Sequence, residues 1–283
     1  MDGQDRFAVV TGASQGLGKA FAESLACGGW NLILAALPST GLDSVALGLS
    51  AVCGVDVIAL ELDLSTSEGQ SRLLDTVKAE GRRLGLLVNN VGVGDNGLFD
   101  LMPLEGQRRS VDINVQTTMA LTYGLVGRLA ESGGKIINVA SLAAFYPMPL
   151  FAVYAASKAF LLHWSLALRH ELEPLGVGVT VLAPGGIYTN QETREKVRAQ
   201  GFLGRLSCKE PEVVAEAALR GAFAGKPLVI PGFFNRILAV LGSLPPKNFT
   251  ARAIYRRWRA SLSRVGDSEE SRWYYRRGER KAS

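Results

Sequence analysis

The chain has 283 residues, 47% of them hydrophobic and 20% charged, with a formal net charge of +5. That is enough apolar mass for one substantial α/β core, and too apolar and evenly charged for a disordered chain. The polar, acidic start lacks the cationic end and apolar run of a signal peptide, and Cys27, Cys53 and Cys208 stand in unrelated contexts, which together point to free thiols in a reducing cytoplasm.

In chain order, the apolar residues 7–10 predict a buried strand running into Thr11-Gly12-Ala13-Ser14-Gln15-Gly16-Leu17-Gly18, followed by an amphipathic helix over 16–26. Glycines at this spacing let the backbone turn tightly and approach a pyrophosphate, while the helix N-terminus offers free N–H groups and a positive dipole end. Further short apolar runs at 32–35, 57–60, 86–89, 135–139, 177–182 and 228–230 alternate with helical stretches. This pattern predicts a single domain built on a doubly wound, Rossmann-type parallel sheet of seven strands, with both faces covered and right-handed crossovers. Ligands of such sheets bind outside the carboxyl ends of the strands, and Gly12, Asp63, Asn90, Ser141 and Pro184 each fall just past one.

One helix over about 107–130 carries Asn114, and another runs from Tyr154 to Glu173. Tyr154 and Lys158 are four residues apart at the start of the second, so a phenol and an ammonium share one helical face. A free phenol ionises near pH 10, and a fixed cation stabilises the phenolate; a shift of two units needs roughly 2.7 kcal/mol. His163 and His170 follow on the same helix without a Cys or carboxylate cluster, which makes them packing or interface residues and predicts no metal site. The tail is basic: residues 247–283 hold 11 Lys/Arg against 4 Asp/Glu, a local charge of +7 within an overall +5, so residues 1–246 carry −2. Within it, residues 251–262 combine Ile254, Tyr255, Trp258 and Leu262 with four arginines. The apolar run at 233–244 is too short to span a bilayer. The basic helix after it suits contact with an anionic membrane surface, a cap on a lipophilic substrate channel, or packing on its own subunit or a partner. No nucleic-acid-reading module accompanies the charge.

Taken together, the motifs resemble the short-chain dehydrogenase/reductase family over residues 6–232, in the family's order. The glycine motif is complete; Asp63 matches the aspartate that contacts adenine; Asn89-Asn90-Val91-Gly92 resembles Asn-Asn-Ala-Gly with valine for alanine. Asn114, Ser141, Tyr154 and Lys158 match the catalytic tetrad, and Pro184-Gly185 with Thr189 resembles the segment that holds the nicotinamide carboxamide. The resemblance implies hydride transfer between a nicotinamide and a carbinol or carbonyl carbon, with Tyr154 moving the oxygen-bound proton and Ser141 bonding the substrate oxygen. Lys158 lowers the Tyr154 pKa and holds the ribose, and Asn114 holds a water that links Lys158 to solvent.

The implied cofactor contacts are Gly12, Ser14, Gln15, Gly16, Leu17, Gly18, Ser39, Thr40, Asp63, Leu64, Asn90, Val91, Gly92, Tyr154, Lys158, Pro184, Gly185, Ile187 and Thr189. The stretch after the second strand, Leu34-Ala35-Ala36-Leu37-Pro38-Ser39-Thr40, has neither the acid that bonds an adenosine 2′-hydroxyl nor the arginine that holds a 2′-phosphate. Without the acid, NADP(H) is favoured over NAD(H). Ala143, Phe145, Tyr146 and Pro149 between Ser141 and Tyr154, together with Tyr188, form an apolar lining suited to a hydrophobic ketone or alcohol of hydroxysteroid or ketoacyl type. Residues 191–208 are expected to form a polar lid. A homodimer or homotetramer is expected through the helices at 107–130 and 154–173, as relatives pair them. The reading of a different class is a non-catalytic dinucleotide sensor or scaffold; an epimerase or dehydratase is disfavoured because no sizeable C-terminal substrate domain follows the sheet. The expected location is cytoplasmic, with surface contact to a membrane through the basic helix as the variant.

Overall fold

The computed structural model describes residues 6–188 and 207–262, with side chains to Arg257. The described residues contain one sheet of seven parallel strands in the order β3-β2-β1-β4-β5-β6-β7. The strands are β1 (Arg6–Thr11), β2 (Asn31–Ala36), β3 (Val57–Glu61), β4 (Arg83–Asn89), β5 (Lys135–Val139), β6 (Gly178–Leu182) and β7 (Leu228–Val229). All seven coincide with the apolar runs read from sequence, because a strand covered on both faces needs apolar residues at consecutive positions rather than alternate ones.

Helices α1 (Gly16–Cys27), α2 (Leu42–Cys53) and α7 (Pro211–Phe223) cover one face, where Phe21, Leu25, Leu42 and Val214 pack on Val10, Leu34 and Val88. The other face carries α3 (Ser67–Ala79), α5 (Thr118–Ser132) and α6 (Ala152–Leu172), with Leu73, Leu121, Leu125 and Leu172 on Val9, Ile33, Leu87 and Ile136. Full burial of such side chains contributes about 1.5–3 kcal/mol each. Within this second apolar layer runs one polar chain. The Asn89 amide donates to Asn138 Oδ1 at 2.8 Å and Thr122 Oγ1 at 3.0 Å, and the Asn138 amide donates to Ser165 Oγ at 2.9 Å.

The expected helix over 107–130 is three consecutive segments. Helix α4 (Leu104–Val111) leads into a π-helical stretch (Asp112–Thr117) and then α5. The wide turn falls on Asn114, which is fully buried; such bulges re-aim a side chain without ending the helix.

After β7 come α8 (Phe233–Ser243) and α9 (Lys247–Leu262). They pack on the short helical turn Leu142–Phe145 rather than standing apart: a Cβ on Gly242 would lie 2.2 Å from the Tyr146 ring, and Lys247 Nζ donates to the Phe145 carbonyl at 2.8 Å. The start of the tail read from sequence as a basic extension is thus held to the turn after β5 at Lys247. No described helix is long and apolar enough to cross a membrane.

All three cysteines are free thiols, as expected, but two of them are neighbours: Cys27 and Cys53 end α1 and α2 with their sulfurs 3.5 Å apart, while Cys208 is buried elsewhere.

Candidate active site

The loop between β1 and α1 is built by contacts that exclude side chains. Gly12 has φ +66°, and a Cβ on Gly18 would sit 2.0 Å from the Gly12 carbonyl oxygen, so the first turn of α1 lies directly against the loop. Asn90 ties this loop to the end of β4, its amide donating to the Thr11 and Gly12 carbonyls at 2.8 and 3.2 Å. Thr11 Oγ1 in turn accepts the N–H groups of Asn90 and Val91, both at 3.0 Å. Gln15 precedes α1 with no side-chain cap. The helix therefore presents uncapped N–H groups to a glycine cradle that any Cβ would fill, which fits the pyrophosphate of a dinucleotide. Ser14 and Gln15 are exposed or half-exposed on this rim, and Leu17 is buried beneath it.

At the adenosine end, Asp63 lies two residues beyond β3. Its carboxylate accepts the Ser65 N–H at 2.9 Å and hydroxyl at 2.7 Å, with Arg109 3.6 Å away. The Ser65 hydroxyl is the main influence holding Asp63 below the ordinary carboxylate range, partly opposed by burial. Asp63 thus shapes its own turn first. Leu64 is buried, its carbonyl accepting Thr117 Oγ1 at 2.8 Å. Ser39 has φ +62°, and its N–H donates to Glu61 Oε2 at 3.3 Å, while Thr40 Oγ1 donates to Leu37 O. The end of β3, where Glu61 pairs with Ala36, thus brings a carboxylate to the loop after β2. Sequence reasoning missed Glu61.

Tyr154 and Lys158 lie on the inward face of α6, and the structure brings Ser141 and Asn114 to them. Lys158 is buried, its ammonium donating to the Val139 carbonyl at 2.8 Å and lying 5.8 Å from the Tyr154 ring centre. A Cβ on Gly92 would lie 3.0 Å from both Lys158 Nζ and Asn114 Oδ1. The Tyr154 ring closes against Gly94, where a Cβ would stand 2.4 Å from it. Burial lowers the Lys158 pKa to about 8. Burial also raises the Tyr154 phenol above its usual value, and a hydrogen bond with the Ser141 hydroxyl opposes this. In this arrangement the phenol is perturbed by desolvation first and Ser141 second. Ser141 also caps the turn after β5 by accepting the Ala143 N–H at 3.1 Å.

The Asn114 side chain makes three hydrogen bonds. Its oxygen accepts the Val93 N–H at 2.9 Å, and its amide donates to Val93 O at 2.8 Å and Ser157 Oγ at 2.9 Å. Asn114 therefore clasps the loop after β4 onto α6, and its main-chain carbonyl accepts the Thr118 hydroxyl at 3.1 Å.

Around β6, the Pro184 carbonyl accepts the Leu142 N–H at 2.8 Å, and Gly185 packs so closely that a Cβ would meet Ser207 O at 2.5 Å. Ile187 forms a bridge with Lys209, and Tyr188 donates its N–H to the Lys209 carbonyl at 3.2 Å. Thr189 and most of the expected lid lie outside the described residues.

The expected substrate residues divide. Phe145, Tyr146 and Pro149 line an apolar cavity of about 730 Å³ that also reaches His163 and Lys247 but not Tyr154. Ala143 is buried under the Ser141 turn. A second, smaller cavity of about 90 Å³ does touch Tyr154, and its walls include Phe99, Met102, Leu150 and Tyr255. Phe99 and Met102 follow the Asn-Asn-Val-Gly segment past the end of β4, the position where a strand-end pocket finds its lining. That is the signal that points to them.

Comparison with known proteins places these features in a family. The family described as short chain dehydrogenase matches residues 6–200. A very-long-chain 3-oxoacyl-CoA reductase of Phaeosphaeria nodorum is 36% identical over 178 residues, 61% of this chain and 52% of that protein. An 11-beta-hydroxysteroid dehydrogenase-like 3 of Arabidopsis thaliana is 31% identical over 240 residues, 84% of this chain and 77% of that protein. The chain thus spans about half the length of the fungal reductase. Among solved structures, a short-chain dehydrogenase from Sphingobium yanoikuyae in complex with NADPH superposes with TM-score 0.73 at 30% identity, covering 84% of this chain and 93% of that one.

Proposed function

From the premise that the chain belongs to the short-chain dehydrogenase family, we propose that it is an NAD(P)-dependent oxidoreductase acting on a hydrophobic ketone or secondary alcohol. The observation that carries this is the half-buried Tyr154 one helical turn from the buried Lys158, with Ser141 on the phenol, beside an uncapped helix N-terminus in a glycine cradle. When bound, a nicotinamide dinucleotide supplies the hydride.

The chain's own residues supply the proton chemistry. In the reductive direction the Tyr154 hydroxyl protonates the carbonyl oxygen as negative charge develops there, and in the oxidative direction the phenolate takes that proton back. Ser141 donates a hydrogen bond to the same oxygen. Burial disfavours the Tyr154 phenolate, so its formation depends on a nearby cation, and Lys158 is the buried ammonium facing the ring. Asn114 keeps the loop at Val93 and the helix at Ser157 in one geometry, which fixes the ring of Tyr154 against Gly94.

NADP(H) is the favoured form, supported by relatives crystallised with NADPH; the Glu61 carboxylate at the Ser39 loop works against a 2′-phosphate and limits that preference. A ketoacyl-type substrate draws support from the names of the fungal reductases, and a steroid from the Arabidopsis relative. A cytoplasmic homodimer or homotetramer completes the proposal. The test is the nicotinamide absorbance band followed over a panel of hydrophobic ketones and alcohols with both cofactors. Turnover by the native protein, lost by well over tenfold in Tyr154→Phe with cofactor affinity retained, is expected, since positioned proton transfer contributes about 10²–10⁴-fold. Binding of cofactor without turnover of any carbonyl would leave the sensor reading in its place.

A further inference from the structure

Helix α9 reaches the catalytic tyrosine. It is anchored where it starts, with Lys247 Nζ on the Phe145 carbonyl at 2.8 Å. The preceding helix is seated by Gly242 against the Tyr146 ring, so closely that a Cβ would lie 2.2 Å from it. About two turns into α9, Tyr255 shares the walls of the 90 Å³ cavity with Tyr154, Phe99, Met102, Leu150 and Val153. Along the same helix Ile254 and Tyr255 are half-buried, while Arg252, Arg256 and Arg257 are exposed. The apolar face of α9 is therefore spent on the enzyme body at this point, and its charge faces outward.

A space of this size beside the proton donor holds a short alkyl group and little more; pockets that enclose drug-sized ligands run to about 300–1,000 Å³. A ketone has two substituents on its carbonyl carbon. With its oxygen at Tyr154 and Ser141, a substituent directed between Phe99, Met102 and Tyr255 enters a small cavity that these side chains bound, while the other extends away from it. We propose that Tyr255 closes the pocket for the smaller substituent of the ketone, so that the C-terminal helix fixes which unsymmetrical ketones are accepted. This rests on the reading of Tyr154 as proton donor to a ketone, and it adds a specificity residue that lies 101 positions beyond it in the chain.

The test compares two isomers of equal composition, methyl hexyl ketone and propyl butyl ketone, on the native protein, Tyr255→Phe and Tyr255→Ala. The native protein and Tyr255→Phe should favour the methyl ketone in kcat/KM. Tyr255→Ala should shrink that preference on the order of tenfold, as a pocket altered by a few carbon atoms discriminates. Calorimetric Kd values for the two ketones on the cofactor-loaded protein should show the same change in ratio, and this readout does not depend on hydride transfer. An unchanged ratio in Tyr255→Ala by both measurements, or a preference shifted further toward the methyl ketone, overturns the proposal. No turnover in any variant alongside the expected change in Kd ratio would overturn the enzymatic reading and leave the wall in place. Should Tyr255→Ala melt early, Tyr255→Leu, which keeps apolar volume and removes the ring, takes its place in the comparison.

Discussion

The carboxylate of Glu61, at the end of β3, accepts the backbone N–H of Ser39 in the loop that follows β2. Two strands paired in parallel at Ala36 and Glu61 thereby place a negative charge where dinucleotide folds read the adenosine 2′ group. A 2′-phosphate would compete for that N–H and be repelled by the carboxylate. Glu61→Gln should tighten NADP⁺ binding on the order of tenfold, about 1.4 kcal/mol, and leave NAD⁺ equal or weaker. The gap between native and variant protein should narrow at high salt, because Glu61 is only half-buried. Cofactor titration by fluorescence decides this; equal changes for both cofactors would show that Glu61 does not read the 2′ group.

Lys158 carries a cost that pH can reveal. Burial disfavours its ammonium, lowering the pKa from 10.5 to about 8. Below about pH 8 the lysine is charged in both folded and unfolded chains, so the folded state bears the whole penalty. Above about 10.5 it is neutral in both and the penalty vanishes. The difference corresponds to about 3 kcal/mol. Denaturant melts of the cofactor-free protein and of Lys158→Met, compared from pH 7 to 10.5, should therefore show the native protein gaining on the variant as pH rises. Parallel profiles would mean that the ammonium is not desolvated as its burial implies.

Cys27 and Cys53 are poised for each other. Their sulfurs are 3.5 Å apart at the ends of adjacent helices, and the hydrogen bond between them is the main influence raising the Cys53 thiol. Oxidised glutathione should convert the pair to a disulfide, with loss of two hydrogens in the intact mass and Cys208 left free. Closing a loop of roughly 27 residues constrains the unfolded chain by between about 3 and 4 kcal/mol, so the oxidised protein should melt higher. The reaction should speed up with pH as thiolate forms. Cys53→Ser should instead accumulate a mixed disulfide at Cys27; the same mixed disulfide in native protein would argue that the two sulfurs do not meet.

Met119 and Tyr123 on α5 and Phe160 on α6 stand exposed, Tyr123 to 87%, although α5 and α6 are otherwise packed helices. Apolar side chains on the helices that relatives pair should be covered by a second copy. Light scattering at micromolar concentration should report a dimer or tetramer, and Tyr123→Glu should shift it toward monomer. Native protein that scatters only as a monomer would refute the assembly.

The strands could be read from sequence because the central ones are buried on both sides and so leave an uninterrupted apolar run, and the edge strand β3 keeps the same composition although only half-buried. Helix starts at Gly16 and near Tyr154 were equally legible from the glycine motif and the apolar spacing. The π-helical turn at Asn114 was not, since a single widened turn hardly alters the spacing of apolar residues around it. Glu61 escaped for another reason. It meets the loop after β2 through strand pairing between distant segments, and nothing local distinguishes it from a solvent-facing residue at a strand end. The aromatic loop after Ser141 was visible as an apolar surface, but sequence does not tell which of two neighbouring cavities a loop lines. The cysteines show the same limit, because contact between the ends of α1 and α2 depends on how both helices lie on the sheet.

The chain of hydrogen bonds from Thr122 through Asn89 and Asn138 to Ser165 bears on the site although none of the four touches it. Asn89 and Asn138 face each other across β4 and β5. Slipping one strand by a single residue, about 3.3 Å, would turn one asparagine to the opposite face and leave its partner unpaired in an apolar layer. Asn90 follows β4 directly, while β5 leads through Val139, whose carbonyl holds Lys158, to Ser141. The polar chain thus acts as an alignment pin: the halves of the site that grip the glycine loop and present the hydroxyl cannot drift relative to each other by one step of the sheet without breaking it.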